Sequence, residues 1–379
     1  MDLINTYDTV TGRRISSVPA SEWSWRRRVS GAGSLTIKVP LTQEVADRDL
    51  RTELAPWRTT LAVVDSDTRR VIAAGIIYAR KWDADSTTLE LTCADMWDAL
   101  KLRLVIDPAL GGYSGGVVTG SDGAYPAPWS TTLDGALADI AAQLVRSTIT
   151  AGPLPIVLPP TVGGQNTRTY QGPDLATVSQ RLSELTDVID GPEIAFVPRI
   201  ADGATALSWH MLMGTPELVF GEHHWDTRRR AVPLVSLSID EDASDMVGDA
   251  WGRGGSQDDR TVIAHYHDRW LEDAGWPLLQ AADTSHTSLS DLSTLTAYTR
   301  ATTVLRSRST EVVQVKARRT DEAGYALADA VSAGDHLTLR HDDPYLGNGW
   351  IHLKVLEAAG DSGEWVTLSC RELIDDGSL

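Results

Sequence analysis

Two octets decide how this chain reads: LTCADMWD, Leu91–Asp98, and LSCRELID, Leu368–Asp375. Both run Leu, hydroxyl residue, Cys, any residue, acid, two apolar residues, Asp, and they begin 277 positions apart. Between them they hold both cysteines of the chain. A single octet match is what chance gives between short β segments, so the context has to decide. Before the first octet, SLTIKV (Ser34–Val39) alternates with Leu35, Ile37 and Val39 on one face. TTLAVV (Thr59–Val64), the turn DSDTRR, VIAAGIIYARKW (Val71–Trp82) and TLELTC (Thr88–Cys93) follow. Before the second octet come VVQVKA (Val312–Ala317), DHLTLR (Asp335–Arg340), WIHLKVLEA (Trp350–Ala358) and EWVTLSC (Glu364–Cys370). Ile37 to Leu61 is 24 residues and Val315 to Leu337 is 22; Leu61 to Leu91 is 30 and Leu337 to Leu368 is 31. Three matched strands at near-equal spacing predict a duplicated β-barrel, with each octet as its last strand and exit turn. Period two places each Cys on the inward face.

The region between the two sets reads differently. TTLDGALADIAAQLVR carries Leu133, Leu137, Ile140, Ala141 and Leu144 on one helical face, with Asp134 suited to its first turn. PDLATVSQRLSELTDVIDG predicts a second helix, from Pro173-Asp174 to Gly191. Strand-like EIAFVPRI and ALSWHMLM follow. The expected fold class is therefore mainly β with an α+β insertion. Residues 1–105 form the first β-barrel. Residues 106–225 form a small α+β domain that includes a Gly-rich loop at 111–128. Residues 226–379 form the second β-barrel, entered by a helix near 291–305 carrying Leu292, Leu295, Tyr298 and Leu305. The loop, with six Gly and two Pro, is too long for an ordinary connection.

Composition narrows the function classes. At 42% hydrophobic over 379 residues, the chain can bury sizeable cores. No apolar run approaches the roughly 18 residues of a membrane span, and the N-terminus lacks a signal-peptide pattern. A formal charge of −18 argues against binding duplex DNA or RNA. Five Lys among 34 basic residues, and two Phe against 13 Trp, fit a GC-rich genome. A disulfide between Cys93 and Cys370 is open to the two cysteines; two buried thiols are the expected arrangement.

Several stretches carry residue types that can do chemistry. YSGG (Tyr113–Gly116) offers Ser114 as a nucleophile, but no His and carboxylate are placed to activate it, so it reads as loop. HYH (His265–His267) and EHHWD (Glu222–Asp226) offer pairs of imidazoles where a metal needs three or four convergent ligands. WGRGG (Trp251–Gly255) lacks the P-loop and dinucleotide spacings and reads as a bend or bulge. WSWRRR (Trp23–Arg28) and TRRR (Thr227–Arg230) are expected to pair with acidic neighbours or a partner chain rather than with nucleic acid. SIDEDASD (Ser238–Asp245) lacks an EF-hand pattern and reads as a solvated loop after a strand. The expectation is no catalytic residue, no cofactor and no metal site, and thus no enzyme.

The order SLTIKVP, RTELAPWRTTLAVV, AAGII and LELTCADMWDAL resembles minor tail proteins of long-tailed (siphovirus) phages of actinobacteria, of the tail-hub or baseplate-hub kind. PLVSLSIDEDASDMVGDAWGRGG and AYTRATTVLRSRSTEVVQVKA resemble the entry to the second half of such hubs. Residues 106–225 match only in position and size. The resemblance implies a structural homotrimer in the virion, at the tail tip, made in the host cytoplasm. Its two barrels per subunit would adapt a six-fold tail tube to a three-fold tip. It implies as partners a distal tail protein, a tape measure protein and other minor tail proteins, with DNA passing through the channel unbound. Alternatives are a six-copy distal tail ring protein and a tail-associated cell-wall hydrolase. The chain ends four residues after the second octet, so host recognition and wall digestion are expected on other proteins.

Overall fold

Alternating side chains become strands where the spacing predicts them. The computed structural model describes residues 2–106, 130–188, 190–201, 205–226, 234–257, 260–285, 291–320 and 328–373. The chain divides into two compact units, residues 1–237 with 315–379, and residues 238–314. It opens with β1 (Asp2–Asp8), β2 (Arg14–Val18), β3 (Glu22–Arg28) and β4 (Ser34–Pro40). Two single-turn helices, α1 (Gln43–Ala46) and α2 (Leu50–Glu53), lead to β5 (Thr59–Asp65), β6 (Val71–Lys81), β7 (Thr88–Ala94) and α3 (Met96–Ala99). The middle region supplies β8 (Ser130–Gly135), α4 (Leu137–Ala151), β9 (Ile156–Val157), β10 (Asn166–Gln171), α5 (Val178–Thr186), β11 (Glu193–Ile200), β12 (Leu207–Gly214) and β13 (Glu222–Asp226). The chain leaves the first unit through β14 (Leu234–Asp242). It then forms β15 (Asp249–Gln257), β16 (Arg260–His267), α6 (Trp270–Asp273), β17 (Gln280–Asp283) and α7 (Leu292–Leu305). It returns through β18 (Thr310–Arg318) to β19 (His336–Asp343), β20 (Gly347–Asp361) and β21 (Trp365–Glu372).

Among the described residues, thirteen strands join in one sheet of order β14-β18-β21-β20-β3-β4-β7-β6-β5-β1-β2, with β19 and then β13 branching from β20. Within it the order β4-β7-β6-β5 recurs as β18-β21-β20-β19. The agreement reaches single residues. Ile77 pairs with Cys93, and the next pair, Ala79 with Thr92, skips a residue on β6. Val355 pairs with Cys370, and the next pair, Glu357 with Ser369, skips a residue on β20. Each middle strand therefore carries a β-bulge one residue past the partner of its Cys, which bends the strand locally. Both cysteines are free and buried.

The expectation of two closed barrels needs correcting. Among the described residues the sheet is an open, branched path. The edge of β3 that would close the first set is taken by β20, through pairs from Arg28 with Glu357 to Ser24 with Asp361. An edge strand offers unpaired N–H and C=O groups, and joining two such edges satisfies both.

The described residues of the middle region share a core with the first strand set. Ile140, Leu144 and Val145 of α4, Leu182 and Leu185 of α5 and Trp209 of β12 share one buried cluster with Tyr7, Ile76, Trp97 and Leu100. Both helix starts differ from the sequence reading. Gly135, at φ +140, ends β8, so Asp134 lies in that strand and α4 begins at Leu137. Asp139 is the first-turn acid, accepting from the backbone N–H of Val162 and Gly163 at 2.8 and 2.7 Å. Leu175 sits in the left-handed region at φ 49 and is exposed, and Thr177 caps α5 by accepting from Gln180 N–H at 3.2 Å.

In the second unit, α7 packs on β15 and β16. Its buried stripe is Leu295, Thr299 and Thr303, while Leu292, Tyr298 and Leu305 are exposed. The reason is close approach: a Cβ on Gly252 would stand 2.3 Å from Thr299 Oγ1. Small residues face the helix here, and the buried Thr hydroxyls donate to carbonyls one turn back, Thr299 to Leu295 at 2.9 Å and Thr303 to Thr299 at 3.3 Å.

Candidate functional site

β16 holds His265 and His267 on the face opposite α7, as its alternation requires. They do not converge. His265 Nε2 lies 2.5 Å from Asp249 Oδ1, and its ring stacks on Trp251 at 4.1 Å between centroids. His267 Nε2 lies 3.1 Å from Glu272 Oε2. Gln280 Nε2 donates to the other Asp249 oxygen at 2.7 Å. Burial opposes ionisation of Asp249, but the bonds from Gln280 and His265 outweigh it and hold its carboxyl below the usual range. Each imidazole is thus committed to its own carboxylate. Among the described residues no group of three or more His, Cys, Asp or Glu is placed to hold a metal. In β13, His223 Nε2 lies 2.8 Å from the buried Asp335, whose same oxygen accepts from Ser332 N–H at 2.8 Å. This contact pins β13 to β19, its parallel neighbour.

The strongest electrostatic feature was missed by sequence reasoning. Lys354, in the middle of β20, is fully buried. Its Nζ lies 3.0 Å from Glu193 Oε2 and 3.5 Å from Glu217 Oε2, and it donates to the Leu218 carbonyl. Glu193 also accepts from Leu218 N–H at 2.8 Å. Arg371 NH2 stands 3.8 and 3.7 Å from the two glutamates. His336 Nε2 is 3.1 Å from Glu217, at an angle too poor for a hydrogen bond. The cluster ties β11 and the segment after β12 to β20 and β21. Nothing local marks it: a Lys in an alternating strand reads as solvent-facing, and its partners lie well over a hundred residues away in sequence.

The remaining stretches are placed as follows. WGRGG lies inside β15, where the register steps from Arg253–Ile263 to Ser256–Thr261, a bulge at its last two glycines. SIDEDASD is exposed apart from the half-buried Ile239, but its first five residues extend β14 rather than forming loop. WSWRRR is β3, with Trp23 and Trp25 buried and Arg26 at 4.0 Å from Glu357. Residues 227–230 and the Gly-rich loop with Ser114 lie outside the described residues. Burial pushes the Cys370 thiol up to about 12 and the Cys93 thiol also far upward, so neither is a nucleophile in the fold.

The fold has solved counterparts. The chain is similar to the 43 kDa tail protein of prophage MuSo2 from Shewanella oneidensis, with a TM-score of 0.57, 8% identity and 98% of each chain covered. It is similar to a tail protein from Neisseria meningitidis MC58, at 0.54 and 12% identity over 99% of this chain and 97% of that one. A prophage tail protein from Listeria monocytogenes EGD-e matches at 0.51 and 11% identity over 97% and 94%. No family model matches the sequence, and no curated protein matches it. The chain has the fold of these phage tail proteins.

Proposed function

We propose that this chain is a non-enzymatic structural component of a phage tail, namely the hub subunit at the tail tip. The observation that carries this reading is the paired strand set. One order of four strands, with one bulge beside one buried Cys, occurs twice in a chain whose fold matches tail proteins from end to end. We read the sets as the two halves of a duplication, within the parts 1–105, 106–225 and 226–379. Three subunits would then present six quasi-equivalent sets, which joins a six-fold tube to a three-fold tip through a closed ring. The distal tail protein, the tape measure protein and other minor tail proteins are the neighbours this place implies. A channel wall from a chain of charge −18 would repel phosphate and let DNA pass without sticking. The origin in a long-tailed actinobacterial phage rests on the sequence resemblance.

Copy number tests the reading. Quantitative mass spectrometry of purified tails, with the tube protein as internal count, should give three copies per tail. Six copies would move the chain to the distal ring. A zymogram on host cell wall should show no clearing; a clearing zone lost in Ser114→Ala or His265→Ala would make the protein a hydrolase.

A further inference from the structure

One cleft of the first unit runs against the charge of the whole chain. Its volume is about 310 Å3, and Arg27, Arg69, Arg70 and Arg199 line it together with apolar Val197 and Phe220. Among the described residues no Asp or Glu lines it. It lies where the β5–β6 turn, the end of β3 and the end of β11 come together. A smaller neighbouring cavity of about 60 Å3 shares Arg27 and adds Arg26 and Arg28, so the basic run of β3 ends here. That smaller cavity does contain one acid, Asp95. Its oxygens accept from Gly33 N–H at 2.5 Å and Asp98 N–H at 3.0 Å. Among the described residues, Arg69, Arg70 and Arg199 have no carboxylate within 4 Å, whereas Arg48, Arg181 and Arg319 each do. The nearby Asp65 spends its carboxylate on Asp67 N–H and Thr68 N–H, both at 2.8 Å.

Such an arrangement is unfavourable when empty. Arg69, Arg70 and Arg199 around one cleft repel one another, and each of these guanidiniums carries five donors with no carboxylate beside it. An oxyanion relieves both, and the planar fork of Arg matches a carboxylate in two parallel bonds. We propose that the Arg69–Arg70–Arg199 cleft is a binding site for an acidic segment of a neighbouring polypeptide. Size and surroundings favour this over nucleic acid. The cleft takes a few side chains, and its apolar walls suit the methylenes of Glu. A nucleic-acid strand would carry its further phosphates out onto the surface of a chain of charge −18. The site stands whether or not the hub reading holds.

The test uses the full chain at low salt and fluorescence anisotropy. The probes are a fluorescein-labelled hexaglutamate peptide and a labelled hexathymidylate, with inorganic phosphate as competitor. Saturable binding of hexaglutamate is expected. Arg69→Gln with Arg199→Gln should weaken it at least about tenfold, because two of the three unpaired charges that attract the peptide are removed. The control Arg306→Gln with Arg308→Gln, of equal charge change in the second unit, should leave it intact. Arg69 and Arg199 are exposed, so the double variant should melt with the parent; if it does not fold, Arg199→Gln alone gives the same comparison. Absence of saturable peptide binding, equal weakening by the control pair, tighter binding of hexathymidylate, or displacement by millimolar phosphate would each overturn the proposal.

Discussion

The two strand sets share an order and a bulge, yet they meet the middle region in opposite ways. Pairing with the cysteines makes Ile77 the counterpart of Val355, and therefore Ile76 the counterpart of Lys354. Both residues are buried. Ile76 belongs to the apolar cluster that includes Tyr7, Trp97, Ile140 and Trp209. Lys354 faces Glu193 and Glu217. One scaffold position thus docks the same α+β region by dispersion and water release in the first set, and by an ion-pair cluster in the second. Apolar burial is tolerant of direction, whereas a buried charge is tolerated only where its partners are aligned. The comparison teaches that the first contact supplies stability and the second fixes where β20 lies against β11.

The difference can be broken from either side. Ile76→Lys should have the largest effect, because it buries a charge with no partner in the apolar cluster. Soluble folded protein should not be recovered by circular dichroism; a variant melting within a few degrees of the parent would show that the first site accepts ions too. Lys354→Met should cost about 3 kcal/mol in urea denaturation, the low end for a broken buried pair because both glutamates keep some exposure. Adding Glu193→Gln and Glu217→Gln should recover most of that loss, and failure to recover would mean the Lys stem rather than its charge matters. Ile76→Val should cost only about 0.5–1.5 kcal/mol, the price of one methylene in a core. The smallest expected difference is between the thiols. Both are held protonated by burial, so at pH 8 neither should react with a thiol reagent until the protein unfolds. Rapid labelling of one cysteine alone would show that its strand set opens by itself.

Much of the strand content was legible because alternation is a local signal. Val313 and Val315 point inward, and Gln314 and Lys316 outward, as the period of two predicts. The matched spacings around Cys93 and Cys370 also survive, as two strand sets of one order. What was not legible is non-local. Nothing in WSWRRR states that β3 gives its free edge to β20 rather than closing a barrel. The stripe on α7 shifted because Gly252 lets Thr299 approach the sheet, a contact set by the partner strand and not by the helix. His265 and His267 read as a pair, yet Asp249 and Glu272 take them separately.

In the proposed hub, a chain with two equivalent strand sets would build a six-fold ring from three copies. Light scattering on a sizing column tests it most directly. With a monomer of 41.1 kDa, the account predicts a single species at three times that mass, about 123 kDa. A stable species of six copies, about 247 kDa, would contradict it, because twelve strand sets have no place in a six-fold ring.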